Sequence, residues 1–532
     1  MALSLRRKRK APRGRYTPNL WPVWIVAPVA LIAAGALGWV IYHYAYDHFA
    51  QAAADQESPK PVNINDVLKA TVTALTLIGA VLAGLYAYRK QLLTEGDAHR
   101  ADASQLADRY STAAEQLGHD QAAVRLAGVY ALARLADDWA EQRQVCIDVL
   151  CAYLRMPYEP DPTTPEHKAG EREVRQTIIR VIRDHLQEPD VPTAWCAYNF
   201  DFTGAVFDGG SFSTSHFRGT VDFGGATFTG GTAAFVGATF SGGTAAFRRA
   251  RFSGGTAAFR RATFSGGTVA FDGAMFNGGT VDFDGATFSN SRVDFVGATF
   301  GGSRVDFRGA TFSGGTVDFR GATFSGGTVA FRRATFSGGT VAFRRATFSG
   351  SRVAFDGATF NGGTVAFDGA RFSGSRVDFA GARFSDGTVA FDGARFSDGT
   401  VGFRRTTFSG SRVAFTSATF SGSSVHFAGA TFTGGTVAFR RATFSGGTVV
   451  FVGATFDGGT VAFDGATFDG GTVAFGRATF TGGTVDFRRA TFSGGTVTFR
   501  QATLGGGTVT FDGATFAGTS FGWGSVPVPA GA

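Results

Sequence analysis

Three patterns of apolar spacing follow one another along the chain. From Trp21 to Tyr42 the residues are almost all apolar and none is charged, long enough to cross the roughly 30 Å hydrocarbon core of a bilayer. A second such run, from Ala70 to Tyr88, is close to the minimum for a span and ends in Arg89-Lys90. Aromatic residues (Trp21, Trp24, Trp39, Tyr42) stand near the ends of the first run, where amphipathic rings favour the interface. The spacing then becomes helical. Leu106, Tyr110, Ala113, Ala114 and Leu117 share one helical face, and Val124, Leu126, Val129, Tyr130, Leu132 and Leu135 mark a second helix. Val145–Leu154 predicts a third helix and Glu171–Leu186 a fourth, separated by the Pro-rich stretch Met156–Pro165. The arrangement suggests a small antiparallel helical array.

The third pattern is periodic. From Phe223 to Phe516 the phenylalanines alternate in steps of five and seven, giving 25 units of twelve residues; 49 of the 50 slots are Phe, and only Leu504 departs. Steps of five and seven scatter side chains around a spiral of 3.6 residues per turn, and recurrent Gly-Gly would break it, so helix is excluded. Strict repetition instead predicts a solenoid of short strands. Val-x-Phe in TVAF and Ala-x-Phe in GATF put two apolar residues on one face of a strand. Phe-Arg-Arg-Ala or Phe-Asp-Gly-Ala makes one corner and SGGT another, with glycine supplying unusual dihedrals. Four inward Phe per coil require two units, about 24 residues, and about twelve coils in a rod roughly 60 Å long. Phe331, Phe336, Phe343 and Phe348 are expected in its core.

Composition sharpens this picture. The chain has 76 Gly and 56 Phe in 532 residues. Regular Phe argues against the flexible linker that so much Gly would otherwise suggest. From residue 201 onward every charge is Arg (28) or Asp (20), a net of +8. The first 200 residues balance, but Arg6–Lys10, Arg13 and Arg15 concentrate positive charge before the first apolar run. Positive residues mark the cytoplasmic side, which puts both termini there, in a multi-pass protein of the plasma membrane. A cleaved signal peptide is the rival reading, since Ala50-Gln51-Ala52 looks like a cleavage site; the apolar run is too long for it. The expected layout is a basic tail (1–20), a span (21–44), an extracytoplasmic loop (45–69), a second span (70–88), an α-helical domain (89–195), a β-solenoid (196–521) and a closing tail (522–532). The tail FGWGSVPVPAGA is expected to cover the last open strand, because its prolines cannot extend a ladder.

The opening of the array carries a family resemblance. Phe202, Phe207, Phe212 and Phe217 are spaced by five, and a small residue stands two places before the centre at Ala205 (Phe207), Gly210 (Phe212) and Ala238 (Phe240). This resembles the pentapeptide-repeat family, which implies a right-handed, four-sided β-helix. The main array adds two residues to every second unit. The helical stretches DRYSTAAEQLG and VRLAGVYALARLADD also look like the region before such repeats in membrane-anchored actinobacterial members. The fold class expected is therefore mainly β: a right-handed β-helix preceded by two transmembrane helices and a small α-helical domain.

Candidate chemistry is sparse. From residue 201 onward there are two histidines, His216 and His426, no cysteine and no glutamate, so no acid–base pair, nucleophile–base pair or phosphate loop can be assembled there. Cys146, Cys151 and Cys196 read as reduced thiols, and His119 and His185 as surface residues. No enzyme activity, cofactor or metal site is expected. Asp282, Asp294, Asp306 and Asp318 lack the glycine-aspartate calcium pattern and sit among arginines. The corner charges have two readings. They keep a long stack soluble, or Arg248, Arg249, Arg260, Arg261, Arg332, Arg333, Arg344 and Arg345 form strips that bind an anion or a partner, Arg248 with Arg260 and Arg332 with Arg344. The function this favours is a membrane-anchored scaffold binding an unknown protein. The alternatives are nucleic acid or anionic lipid held by arginine corners, or a topoisomerase-interacting DNA mimic, which the positive charge disfavours. A face of ordered Thr for ice has the wrong compartment.

Overall fold

The computed structural model describes residues 23–54, 61, 63–165 and 167–528. The basic tail 1–20, Trp21 and the last four residues of the closing tail lie outside the described residues. The chain forms two compact units, 1–105 and 106–532.

In the first unit, helix α1 runs from Val23 to Ala54, and helix α2 begins at Ile64 and continues to Leu117. Both extend beyond the predicted spans, so the loop expected over 45–69 is largely helical. Helix satisfies its own backbone whether it lies in lipid or water, so a polar flank does not end it. Ile64–Tyr88 is long and apolar enough to cross a membrane, the one such helix among the described residues. Its Leu68, Val72, Leu77 and Leu82 are exposed, as are Ile32, Trp39 and Val40 of α1.

The second unit starts with the end of α2, followed by α3 (Ala122–Asp138), α4 (Arg143–Arg155) and α5 (Glu171–Asp184). Val129, Leu132 and Leu135 are buried against Ile147, Leu150, Ile178 and Ile182. Tyr130, placed by spacing on the apolar face, is exposed, while Arg125 and Arg143 are buried. His185 also departs from expectation: it is half-buried, stacks on Trp195 at 4.1 Å and lies 3.2 Å from Asp137 Oδ2. The three cysteines are buried and free, and burial pushes the Cys146 thiol up to about 11.

A parallel β-solenoid of about thirteen turns follows. Four short strands open it: β1 (Phe200–Asp201), β2 (Val206–Phe207), β3 (Gly210–Ser211) and β4 (His216–Phe217). Each then pairs in parallel with a strand one coil later, building three faces of 14 strands and one of 13. We call these faces A to D in chain order. Registers such as Thr323↔Thr347 and Thr316↔Thr340 fix the coil at 24 residues. Faces A and C insert Val or Ala at the strand centre and Phe just after it; faces B and D insert Phe at the centre. The rings stack in four columns: Phe319 to Phe343 at 4.7 Å and 4°, Phe312 to Phe336 at 4.8 Å and 3°. Strand pairing sets that spacing. Edge-to-face contacts such as Phe319–Phe331, at 6.3 Å and 84°, tie one column to another. Phe331, Phe336, Phe343 and Phe348 are all fully buried. Each such ring contributes about 2–3 kcal/mol of transfer free energy before entropy.

At the far end the columns are covered. Trp523 stacks on Phe521 at 4.3 Å, Val526 is buried, and Ser525 Oγ donates to Ala502 O at 2.7 Å.

Candidate anion-binding edges

Faces A and B meet at Phe-x-x-Ala corners such as 343–346, and faces C and D at corners such as 331–334; glycine-rich turns make the other two edges. In each Phe-x-x-Ala corner the alanine N–H donates to the Phe carbonyl three residues back, as Ala334 N does to Phe331 O at 3.1 Å. The third residue has positive φ, which a type II turn demands and glycine satisfies without strain. Gly357 (φ 65°) and Gly369 (φ 64°) follow that rule, but Arg333 and Arg345 (both φ 56°), Arg249 (55°) and Arg261 (54°) do not. In all, eight arginines adopt the left-handed conformation among the described residues. Each costs about 1–2 kcal/mol relative to an ordinary backbone.

The first arginine of a pair is spent on neutralisation at Arg248, Arg260, Arg332, Arg344 and Arg488, whereas Arg404 and Arg440 make no ion pair among the described residues. Arg248 Nε lies 3.5 Å from Asp272, one coil on; Arg332 reaches Asp356 and Arg344 reaches Asp368, both at 3.1 Å. Arg260 Nε donates to Asp282 Oδ2 at 2.5 Å. The second arginine behaves differently. Arg249, Arg261, Arg333 and Arg345 are exposed, and among the described residues their side chains make no hydrogen bond or ion pair. Their stems lie over the glycine of the next coil; a Cβ at Gly357 would sit 3.8 Å from Arg333 Cγ.

The coil length decides which arginines share an edge. Arg248 and Arg260 stand twelve residues apart, half a coil, and so occupy opposite edges; Arg332 and Arg344 do the same. The strips expected from sequence adjacency therefore do not form. Arg249 shares the A–B edge with Arg345, and Arg261 the C–D edge with Arg333. At roughly 4.8 Å per coil, Arg261, Arg333, Arg405 and Arg477 recur every three coils, about 14 Å apart. Arg249, Arg345 and Arg441 recur every four, about 19 Å apart, and Arg489 follows Arg441 after two, about 10 Å. Arg477 is the exception in bonding, since its Nε donates to Gln501 Oε1 at 2.9 Å.

The strand aspartates serve the corners. Asp306 Oδ1 accepts from Arg308 N at 3.0 Å, and Oδ2 accepts from Arg304 Nη2 at 2.6 Å; Asp306 is 5 % exposed. Arg292 pairs with Asp294 on its own strand (2.7 Å) and Asp318 on the next (3.8 Å). The hydrogen bond from Arg308 holds Asp284 below the usual carboxylate range, whereas burial raises Asp356 and Asp368. No cluster of His, Cys, Asp or Glu with metal-ligand geometry occurs among the described residues. Asp282 and Asp306 pair on face C, and Asp294 and Asp318 on the opposite face A.

A four-faced stack with a buried Phe column per side and strained, solvent-facing corners defines a class of repeat protein. The family model for pentapeptide repeats matches in nine copies, among them residues 266–323, 295–347 and 475–522. The chain belongs to the pentapeptide-repeat family. No curated protein matches it. Similar solved structures include a trypsin-treated variant of QnrB1, a plasmid-mediated fluoroquinolone resistance protein (15% identity, 46% of this chain, 90% of that chain, TM-score 0.13). They also include the alginate lyase AlyF-OU02 (10%, 65%, 84%, TM-score 0.21). A PL6 alginate lyase in complex with a trisaccharide is a third (9%, 60%, 79%, TM-score 0.18). Similarity at that level carries no functional argument.

Proposed function

We propose that this protein is a membrane-anchored, non-enzymatic scaffold whose solenoid docks a protein partner through the arginine edges. Two spans, at 21–44 and 70–88, would hold it with both termini and the solenoid on the cytoplasmic side. The apolar helix Ile64–Tyr88 and the basic residues flanking the two apolar runs support that placement.

The observation that carries the docking reading is the spacing of the unpaired arginines. A polyanion is gripped by closely spaced cations whose fields overlap. Here the left-handed guanidiniums on one edge stand about 10 Å or more apart, Arg441 and Arg489 being the nearest at two coils, which is still beyond the Debye length of about 8 Å at physiological ionic strength. Asp-paired corners separate them. Apart from Arg405 and Arg441, which adjoin the unpaired Arg404 and Arg440, each therefore acts as an isolated contact, suited to separate carboxylates on a folded partner rather than to a run of phosphates. The backbone strain at these positions also argues that arginine is retained for what it touches, because glycine would fit the turn better.

The test is proximity labelling in the native cell, comparing the natural chain with one carrying Arg249→Gly, Arg261→Gly, Arg333→Gly and Arg345→Gly. Because glycine suits these turns, loss of a labelled partner would report lost contacts rather than lost fold. Unchanged labelling would remove the edges from the docking surface. Retention of the reconstituted natural chain on duplex DNA at physiological salt would overturn the preference for a protein partner.

A further inference from the structure

The second unit contains a cavity of about 380 Å³ between the end of α2, α4, the Pro-rich segment and the start of α5. Ligand pockets of a few hundred Å³ hold small organic molecules. Its walls are largely apolar (Leu117, Val149, Met156), and Arg125, Tyr153 and Glu171 also line it.

Arg125 is the unusual member. It is 1% exposed, yet only part of its guanidinium is satisfied. Nη1 donates to His119 O at 3.0 Å and Asp120 O at 2.6 Å. Nε and Nη2 have no hydrogen-bond acceptor. Nη2 lies 3.3 Å from Glu171 Oε2, an ion pair without hydrogen-bond geometry, and that oxygen accepts from the Tyr153 hydroxyl at 2.8 Å. Burial, and then the bond to Glu171, push the Tyr153 hydroxyl above its ordinary range, so it stays a donor.

The charge count is uneven as well. Buried Arg175 lies 3.8 Å from Glu171 Oε1 and spends its remaining donors on backbone carbonyls. Two buried guanidiniums thus face one buried carboxylate, nearby Asp208 being paired with Arg172 at 2.7 Å, which leaves one positive charge that is costly to bury unless countered. Lys168 and Glu159, which also line the cavity, offset each other.

We propose that this cavity binds a small carboxylate with an apolar body, its two oxygens received by Nε–H and Nη2–H of Arg125. The fork formed by Nε–H and one Nη–H matches a carboxylate bidentately. A monoanion cancels the surplus charge, where a phosphate dianion would reverse it. The apolar walls then hold the rest of the molecule.

The experiment uses the full chain in detergent and titrates it calorimetrically with 3-phenylpropionate and with its uncharged counterpart 3-phenylpropanol. The acid should bind at least about tenfold more tightly than the alcohol. Ala152→Leu, which fills the cavity from its wall without touching the ion pairs, should abolish binding of the acid while thermal unfolding of the helices stays unchanged. Equal binding of acid and alcohol would overturn the carboxylate assignment. Absence of binding by the natural chain, or full binding by the Ala152→Leu chain, would overturn the site.

Discussion

Replacing the left-handed arginines with glycine should make the solenoid more stable, although it removes four charges and four long side chains. At Arg249, Arg261, Arg333 and Arg345, φ lies between 54° and 56°. An L-residue there costs about 1–2 kcal/mol, and glycine removes that strain. Glycine also has more freedom to lose on folding, which returns about 0.5–1 kcal/mol. The side chains forfeit little else, since none of the four makes a hydrogen bond or ion pair among the described residues. The net gain is about 0.5–1 kcal/mol per site. Sites on one edge are at least three coils apart and share no contacts, so the quadruple variant should gain about 2–4 kcal/mol by addition. A long repeat array does not unfold in one step, so the measurement should be local. Native-state hydrogen exchange serves: the amide of Arg333 donates to Asp356 O at 3.0 Å and that of Arg345 to Asp368 O at 2.9 Å, and both coils should gain protection. Gly357→Ala is the reciprocal control. Its Cβ would meet only Arg333 Cγ, at 3.8 Å, so the φ of 65° alone should cost about 1 kcal/mol. If the quadruple variant lost protection, the arginines would be stabilising the corner themselves, and the case for their retention as contact residues would fail.

Three further outcomes follow from the same geometry. Phe343→Ala should cost about 3–5 kcal/mol, because the ring is fully buried between Phe319 and Phe367 (4.7 and 4.8 Å) and the coil cannot close on the void; faster exchange confined to neighbouring coils is the readout. Asp306→Ala should cost about 1–3 kcal/mol and Asp306→Asn less, since asparagine keeps an acceptor for Arg308 N; urea-dependent exchange separates the two. Acidification should act in opposite directions along the C–D edge. Asp284, held low by Arg308, contributes stability that is present above about pH 4 and is lost as pH falls through its depressed folded value. Asp356, raised by burial, binds its proton more readily folded than unfolded, so its coil gains stability as pH falls through that raised value. Exchange at the two corners between pH 5 and 3 should therefore diverge.

The repeating fold was legible because a Phe column is a strong signal and an interrupted period would have shown at once. Twenty-four residues per coil followed from side-chain volume. The edges were misread although the coil length was already in hand: Arg248 and Arg260 look like neighbours in the sequence, but half a coil turns one to the far side. The strain at Arg333 could have been found by aligning Phe-Arg-Arg-Ala with Phe-Asp-Gly-Ala, which places arginine where glycine otherwise stands. Arg125 was not legible. A charged residue in a helix reads as a solvated face, and only packing against Glu171 and Tyr153 reveals otherwise. The length of α1 and α2 was missed for a related reason, since hydropathy marks where lipid would end and not where the helix does.

The near-identity of successive coils makes the ladder translationally degenerate: a slip by a whole coil sets rings upon rings again, and nothing in the middle of the array can tell the difference. Phase has to come from the start. There the chain just past the helices supplies it, with Trp195 fully buried, His216 N donating to Leu186 O at 2.8 Å and Arg218 N to Cys196 O at 2.7 Å. The segment after α5 thus fixes the register of coil one, and every later coil inherits it. Excising 24 residues from the interior should go unnoticed by this clock, whereas excising twelve would exchange the two arginine edges for every coil beyond the cut.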